Sequence, residues 1–516
     1  LPRPRRLTGS PSGGLVAAAR PPLALLVFVV GAASLGTEIA AARLLAPYFG
    51  ASTFVWANTI ATVLVALSAG YALGGRIADR TPHISRLCQL VAVAGVMLAV
   101  VPYISPPLLR LAVGALSSIS VGGFLASLFG VLTLVAVPVL LLGMVAPFAL
   151  RLSIRGSEDA GRVSGRLYAI STAGSLLGTF LAALVMIPFL GTHRTFLAFA
   201  LSLVIVAAPG LPRRYLVLAV GIVALIALPP GQVNGDVATG SRVIYETETP
   251  YQYARVVSLA SGERWLQLNE GLAIHSDYIP GSYLTGNYWD DFLVVPFATR
   301  TAAPARLAIL GDAAGTTARA LGHYFPATRV DAVEIDGQLT AIGRRYFGLR
   351  PRANLNLITA DARPWLASVK TRYDAILLDA YRQPYIPFYL ATREFFSLVR
   401  EHLRAGGVVA VNVGHPAGSD SLERVLSATL RSVFGHVARD PSGPTNTIVL
   451  AIDSPLAAER LRAAAEGLAP DLRPVARAAA GRLGRGLNGG SVYTDDRAPV
   501  EWLVDRSLLG YAVSGR

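Results

Sequence analysis

Cysteine is almost absent. Cys88 is the single one in 516 residues, so no intrachain disulfide and no cysteine-based metal site can form. The seven His include no His-Glu-x-x-His spacing, and no metal is expected. Acids are scarce in one part of the chain only. Residues 1 to 230 hold sixteen Arg against four acids, Glu38, Asp79, Glu158 and Asp159, whereas residues 231 to 516 hold thirty Lys plus Arg against twenty-eight acids. The net charge of +14 therefore comes almost wholly from the first part. That distribution excludes a basic nucleic-acid-binding domain in the second part and makes the pI near 10.1 a membrane-topology signal. Charged residues make up only 15% of the chain, with 53% hydrophobic and a mean hydropathy of +0.49, too apolar for an ordinary soluble protein.

The apolar residues gather into seven stretches of near-spanning length, about 22 to 46, 54 to 75, 87 to 104, 122 to 150, 167 to 189, 193 to 209 and 215 to 229. The first follows the basic tail LPRPRRLTGS, is too long for a signal peptide and lacks a small-residue cleavage site, so it reads as a retained helix. Arg residues alternate between connections. Arg3, Arg5, Arg6 and Arg20, then Arg76, Arg80 and Arg86, then Arg151, Arg155, Arg162 and Arg166, then Arg213 and Arg214 are separated by connections holding only Arg43, Arg110 and Arg194. The positive-inside rule makes the amino terminus cytoplasmic. Seven spans place the second part outside, and one miscounted span reverses that, so the side stays open.

Glu38 is the one acid inside a span, apart from Asp79 at a span's end. A carboxylate in hydrocarbon faces a partner or a cavity, which makes Glu38 either a substrate or proton site or one half of an ion pair with Arg43. Gly70 and Gly74, like Gly174 and Gly178, are spaced for close helix packing. The segment GYALGGRIADR resembles the short connection of major-facilitator transporters, which leaves transport open.

Past the polar segment GQVNGDVATGS, the runs Arg242 to Glu246, Tyr253 to Leu259 and Arg264 to Leu268 suggest a small β subdomain. From Ala305 the strands RLAIL, VDAVEI, LNLIT, YDAILL and GVVAVNV alternate with helical patterns, implying a parallel sheet with helices on both faces and a ligand crevice at the strands' carboxyl ends. The expected fold is a multi-pass α-helical membrane domain followed by an α/β Rossmann-like, class I methyltransferase-like domain with a small β subdomain. The expected parts are a basic cytoplasmic tail (1–21), a membrane domain of about seven helices (22–230), a linker (231–241), the β subdomain and its connection (242–300), and the nucleoside-binding domain (301–516).

Polar residues cluster at those strand ends. Gly311, Asp312 and Gly315 follow the first strand, Glu334 ends the second, Asp361 follows the third and Asp379 ends the fourth. An acid at the second strand end can accept both ribose hydroxyls, and an acid with its neighbouring amide after the third can read an adenine edge. A lone acid at a strand end is most often a cap, but four at successive ends favour a ligand. The loop LGDAAGTTARALG lacks Gly-x-x-x-x-Gly-Lys-Ser/Thr and Gly-x-Gly-x-x-Gly, and Asp312 would repel a phosphate. A sulfonium nucleoside, being cationic, suits an acid-lined crevice better.

With these residues in view, the chain resembles the spermidine synthase family of aminopropyltransferases, in its bacterial branch with a membrane-embedded amino-terminal half. The resemblance is carried by TPYQYARV, LQLNEGLAIHSDY, LTGNYWDDF, the Gly311 loop, VEID with Asp336, ADARPWL, LLDAY and TDDRAPVEW, and in the first part by TEIAAARLLAPYFG and LYAISTAGSLLG. It implies transfer of an aminopropyl group from decarboxylated S-adenosylmethionine to an amine such as putrescine, in a bacterial cell membrane, with a homodimer as a candidate assembly. By the resemblance Gln252, Gly311, Glu334, Asp361 and Ala362 hold the nucleoside, and Tyr283 falls on the family's Tyr near the amine. Asp379 and Tyr381 complete the candidate catalytic set, since the attacking amine must be neutral and something must take its proton.

Two positions depart from the family pattern. Ala314 stands where the soluble enzymes carry the Asp that holds the aminopropyl ammonium, and Arg382 stands where they carry the second Asp after the fourth strand. Asp379, Asp312 and Asp277 are candidate replacements, and His275 is a candidate base. Two other readings remain: an S-adenosylmethionine-dependent methyltransferase on the same fold, and a transporter or sensor whose soluble half binds a nucleoside or polyamine without chemistry.

Overall fold

The computed structural model describes residues 22–49, 53–116, 122–154, 160–228, 240–269, 273–381, 386–455, 457–500 and 502–504. The basic tail, Arg155, Glu158, Asp159, Arg382 and most of the linker lie outside them. The first part is helical: α1 Leu23–Phe49, α2 Thr53–Arg80, α3 Ile84–Leu116, then α4 Gly122–Val131, α5 Val137–Gly143 and α6 Val145–Ser153 in one line, α7 Ala160–Leu181, α8 Ile187–Ala207 and α9 Leu216–Ala227.

Among the described residues five stretches are long and apolar enough to cross a membrane: Leu23–Ala46, Val55–Arg80, Ile84–Ala112, Leu125–Ser153 and Ala160–Gly210. Five differs from the seven apolar stretches of the sequence, and the backbone gives the reason. The last stretch is 51 residues long. As one rod it would extend about 76 Å, more than twice a hydrocarbon core of about 30 Å. Gly191, at φ +81 and ψ 164, breaks it inside α8, so the stretch is two arms, α7 continued to Leu190 and the rest of α8 from Thr192. The seventh stretch forms α9, which at 12 residues is too short to qualify by length.

Small residues set the packing. A Cβ on Gly174 would lie 2.1 Å from the Phe28 carbonyl oxygen and one on Gly178 2.1 Å from that of Ala32, so α1 and α7 run parallel with backbones nearly touching. In the same way Gly70 meets Leu140 and Gly74 meets Met144, bringing α2 alongside α5 and α6. Gly95 approaches Ala200, while Tyr103 stacks edge-on against His193, so α3 and α8 are antiparallel.

The second part holds two sheets. β1 Ser241–Glu248, β2 Tyr253–Leu259, β3 Arg264–Leu268 and β4 Ile274–Tyr278 form an antiparallel meander. Its fourth strand was not evident from periodicity, because IHSDY is short and mostly polar. The larger sheet has β5 Arg306–Leu310, β6 Arg329–Glu334, β7 Leu355–Thr359, β8 Tyr373–Leu378, β9 Leu403–Gly414, β10 His436–Asp440, β11 Asn446–Ile452 and β12 Gly484–Arg485, in the order β12-β10-β11-β9-β8-β5-β6-β7. β5 to β9 pair in parallel, whereas β9–β11, β11–β10 and β10–β12 are antiparallel, so the sheet is mixed rather than purely parallel. Val, Ile, Leu and Ala of the central strands are buried on both faces, as sheets covered on two sides require. The chain leaves β5 toward β6 and later returns to β8 on its other side, which opens a crevice at the carboxyl ends of these strands.

The α1–α7 contact yields a test. Gly174→Leu and Gly178→Leu should each force the two helices apart and lower the thermal midpoint of the detergent-solubilised protein, with a loss of at least about 1–3 kcal/mol. Gly161→Leu, where a Cβ would have no atom within 4 Å, should leave the midpoint nearly unchanged.

Candidate functional site

The crevice is a cavity of about 840 Å³, within the range of small-molecule sites. Its floor is built by the turn after β5. Gly311 has φ +89, and a Cβ there would lie 2.5 Å from the Asp379 carbonyl oxygen and 2.6 Å from the Ala380 amide, so only glycine lets this turn seat on the end of β8. Gly315, also left-handed, starts helix α11, Thr316–Tyr324. The cavity is lined by Gly311, Asp312 and Ala313 from this turn, Glu334 from β6, Asp361 and Ala362 after β7, Asp379 and Tyr381 after β8, and Gln252 from the loop ahead of β2.

Each acid is held differently. Both Glu334 oxygens accept backbone N–H groups, from Ala313 at 2.8 Å and Asp336 at 3.0 Å; burial raises its pKa and those N–H groups oppose the rise. Asp379 accepts from Asn412 Nδ2 at 2.8 Å and from the Tyr288 hydroxyl at 3.0 Å. Burial pushes Asp379 up to about 7 against those donors, with Glu334 adding to the rise. Asp312 is buried, and its Oδ1 has no hydrogen-bond partner among the described residues. Burial, followed by the neighbouring Glu334, holds its pKa well above the usual carboxylate range.

The remaining candidates divide. Asp361 caps helix α13, Ala362–Ser368: one oxygen accepts from Arg363 N–H at 3.0 Å and the other from the Tyr389 hydroxyl at 2.8 Å. Asp336 caps helix α12, Gly337–Tyr346, from behind the cavity wall, where it lies against Thr249 and Gln252. Tyr381 lines the cavity, but its hydroxyl donates to the Asn412 carbonyl and accepts from the Gly414 N–H, so both its capacities are committed to β9. Tyr283 does not line the cavity. Its ring stacks on His323 at 3.9 Å with the Arg319 guanidinium 4.9 Å from its centroid. His275 lines the cavity; Asp277 sits behind it on β4, its backbone N–H donating to Thr316 Oγ1 at 2.9 Å.

Ala314 is fully buried, packs with Leu339, Ile342 and Phe347 against the small sheet, and does not line the cavity. The acid that faces the cavity from this turn is Asp312. Tyr288, Trp289, Asn412 and Asn446 were not singled out from sequence. Tyr288 and Trp289 open helix α10, Tyr288–Val294, while Asn446 Nδ2 donates to Asn412 Oδ1 at 3.0 Å and so orients the Asn412 amide toward Asp379. One signal was available: Asn412 is the single polar residue in the apolar run VVAVNV, and a buried Asn needs a partner. Among the described residues no group of three or more His, Cys, Asp or Glu is arranged to hold a metal ion.

A parallel-centred sheet with a glycine turn after its first strand and acids at the next strand ends defines a Rossmann-like, class I methyltransferase-like fold. No family model matches the chain. It is 38% identical over 197 residues to a probable polyamine aminopropyl transferase of Bifidobacterium longum, covering 38% of this chain and 43% of that one. It is 36% identical over 179 residues to a polyamine aminopropyltransferase of Vibrio vulnificus, covering 34% and 59%. The chain thus spans about half the length of these two relatives. Among solved structures, a probable spermidine synthase from Corynebacterium glutamicum overlaps 50% of this chain and 100% of its own at 20% identity and a TM-score of 0.39. A spermidine synthase bound to the transition-state analogue AdoDATO overlaps 53% and 89% at 15% identity and a TM-score of 0.36. Over the matched residues the chain is thus similar in sequence to polyamine aminopropyltransferases.

Asp379 provides a pH test. The folded state keeps its proton up to about 7, while an unfolded Asp releases it above about 4. The folded state therefore binds more protons in that window, and the contribution of this group to stability falls as pH rises through it and stays low above it. Asp379→Asn removes the titration, so its stability relative to the parent should rise between about pH 5 and pH 8, on the order of a few kcal/mol. Denaturant melts at both pH values check it; a pH-independent difference would contradict the assignment.

Proposed function

We propose that the chain is a membrane-bound transferase moving an aminopropyl group from decarboxylated S-adenosylmethionine to a small amine. The observation that carries this reading is the charge of the cavity. Asp312, Glu334 and Asp379 line it, and among its described lining residues there is no Arg or Lys. Such a cavity favours a sulfonium that also bears an ammonium, and disfavours a donor that keeps the amino-acid carboxylate. The decarboxylated nucleoside meets both conditions, which ranks aminopropyl transfer ahead of methyl transfer.

In this reading Gln252, Glu334, Asp361 and Ala362 surround the nucleoside, and the bare backbone of Gly311 lets it approach the turn. Asp312 Oδ1 faces the ammonium end. An aliphatic amine is neutral in only about one molecule in a thousand at neutral pH, so the acceptor must lose a proton before or during attack. Asp379, with a pKa of about 7, is matched to that task. The amine nitrogen forms a bond to the donor carbon, the carbon–sulfur bond breaks, sulfur keeps the electron pair as neutral methylthioadenosine, and the amine proton passes to the Asp379 carboxylate. Tyr288 and Asn412 hold that carboxylate in place, and displacement then depends on alignment.

The test is turnover by the purified full chain with each donor across a panel of di- and polyamines. Methylthioadenosine should appear only with the decarboxylated donor, and Asp379→Asn should reduce kcat by about 10²–10⁴-fold. Asp312→Asn should raise the donor KM by about tenfold or more, the size of one lost charge-assisted contact. Ala314→Asp should destabilise the protein without improving KM, because position 314 faces the buried cluster. Methyl transfer from S-adenosylmethionine, or no turnover with any amine, would refute the proposal.

A further inference from the structure

The packing of the helical part assigns every helix end to one of two opposite faces. α1 and α7 run parallel through the Gly174–Phe28 and Gly178–Ala32 contacts. Arg151 on α6 pairs with Asp79 near the end of α2 at 3.2 Å, so these two ends are neighbours. α3 and α8 are antiparallel, and the Tyr103 hydroxyl reaches the Leu225 carbonyl near the end of α9 at 3.4 Å. One face therefore gathers the starts of α1, α3, α7 and α9 and the ends of α2, α6 and α8. The other gathers the end of α1, the start of α2, the Gly191 break and the end of α9.

Arg is divided unequally between them. Arg76, Arg80, Arg86, Arg151, Arg162, Arg166, Arg213 and Arg214 all lie at the first face and are all exposed. The second face has Arg43, Arg110 and Arg194. The second part of the chain is fastened to the second face. Arg43 donates to the carbonyls of Thr249 and Pro250, and Thr192, at the Gly191 break, donates its backbone N–H to Glu248 Oε2 at 3.2 Å and its hydroxyl to the same oxygen. The loop so fastened continues into Pro250, Tyr251 and Gln252, which line the cavity.

We infer that the nucleoside cavity lies on the extracytoplasmic side of the membrane, opposite the arginine-rich face. The Arg excess marks the cytoplasmic face, and the contacts above tie the cavity to the other one. Passing from α1 to α9, the chain ends at the second face because α7 and the helix after the Gly191 break run in opposite directions between the two faces and the end of α9 lies beside Tyr103. The inference rests on the membrane reading and deepens the proposed function. If the donor is a nucleoside sulfonium formed in the cytoplasm, a transport step must deliver it before transfer, and the amine acceptor is drawn from the outer compartment.

The experiment uses the full chain in intact cells, with buried Cys88 changed to Ser and one cysteine introduced at a time. Ser261→Cys, in the exposed β2–β3 turn, and Lys370→Cys, exposed before β8, report the second part; His83→Cys, exposed between α2 and α3, reports the arginine-rich face. A membrane-impermeant maleimide should label the first two in intact cells and His83→Cys only after lysis. The reverse pattern, labelling of all three without lysis, or of none, would overturn the inference. The readout needs no turnover, so a failure of the donor assay alongside the expected labelling would reject the reaction and leave the sidedness standing.

Discussion

Asp312, Glu334 and Asp379 converge on one cavity with no Arg or Lys among its described lining residues to offset them. Like charges in a poorly hydrated site raise one another's pKa, and the protein answers differently at each position. Glu334 accepts two backbone N–H groups and Asp379 a tyrosine hydroxyl and an asparagine amide, while Asp312 keeps an oxygen with no partner among the described residues. The graded satisfaction leaves most of the unmet electrostatic demand at Asp312. A cationic ligand meets it, and its arrival would lower the pKa of all three acids together.

The same acids explain what was legible in the sequence. Each sits at or just past the end of a strand whose apolar run is obvious, so the crevice could be drawn from periodicity and topology. Gly311 was legible too, since a small-residue turn between strand and helix has few other uses. Tyr288 and Asn412 were hidden because they reach Asp379 from α10 and β9, far along the chain, and contact across that distance leaves no local trace. Tyr283 and Tyr288 stand five residues apart, and a loose alignment does not separate the one that stacks on His323 from the one that reaches Asp379. Ala314 misled for a related reason. The turn puts residue 312 toward the cavity and residue 314 toward the small sheet, and spacing alone does not encode that alternation.

In the helical part hydropathy located the apolar stretches, and the boundary it drew between 167 to 189 and 193 to 209 falls on Gly191, where the helix breaks. The antiparallel strands β10 to β12 were missed because α/β alternation gives no warning of where a sheet changes direction. The tail and Arg382 lie outside the described residues.

The junction between the parts ties these points together. Arg43 was weighed as a partner for Glu38, yet its guanidinium donates to two carbonyls of the loop that carries Gln252 into the cavity, and Asp336 braces the same loop from the other side. Glu248, one residue before that loop, accepts from Thr192 at the helical break. This wall of the cavity is thus clamped between α1 and the Rossmann-like sheet, and the clamp uses backbone carbonyls on one side and a buried carboxylate on the other. Neither half completes the wall alone. A shift of α1 along its axis would move Thr249 and Gln252 with it, so the helical part serves the cavity as one of its structural supports.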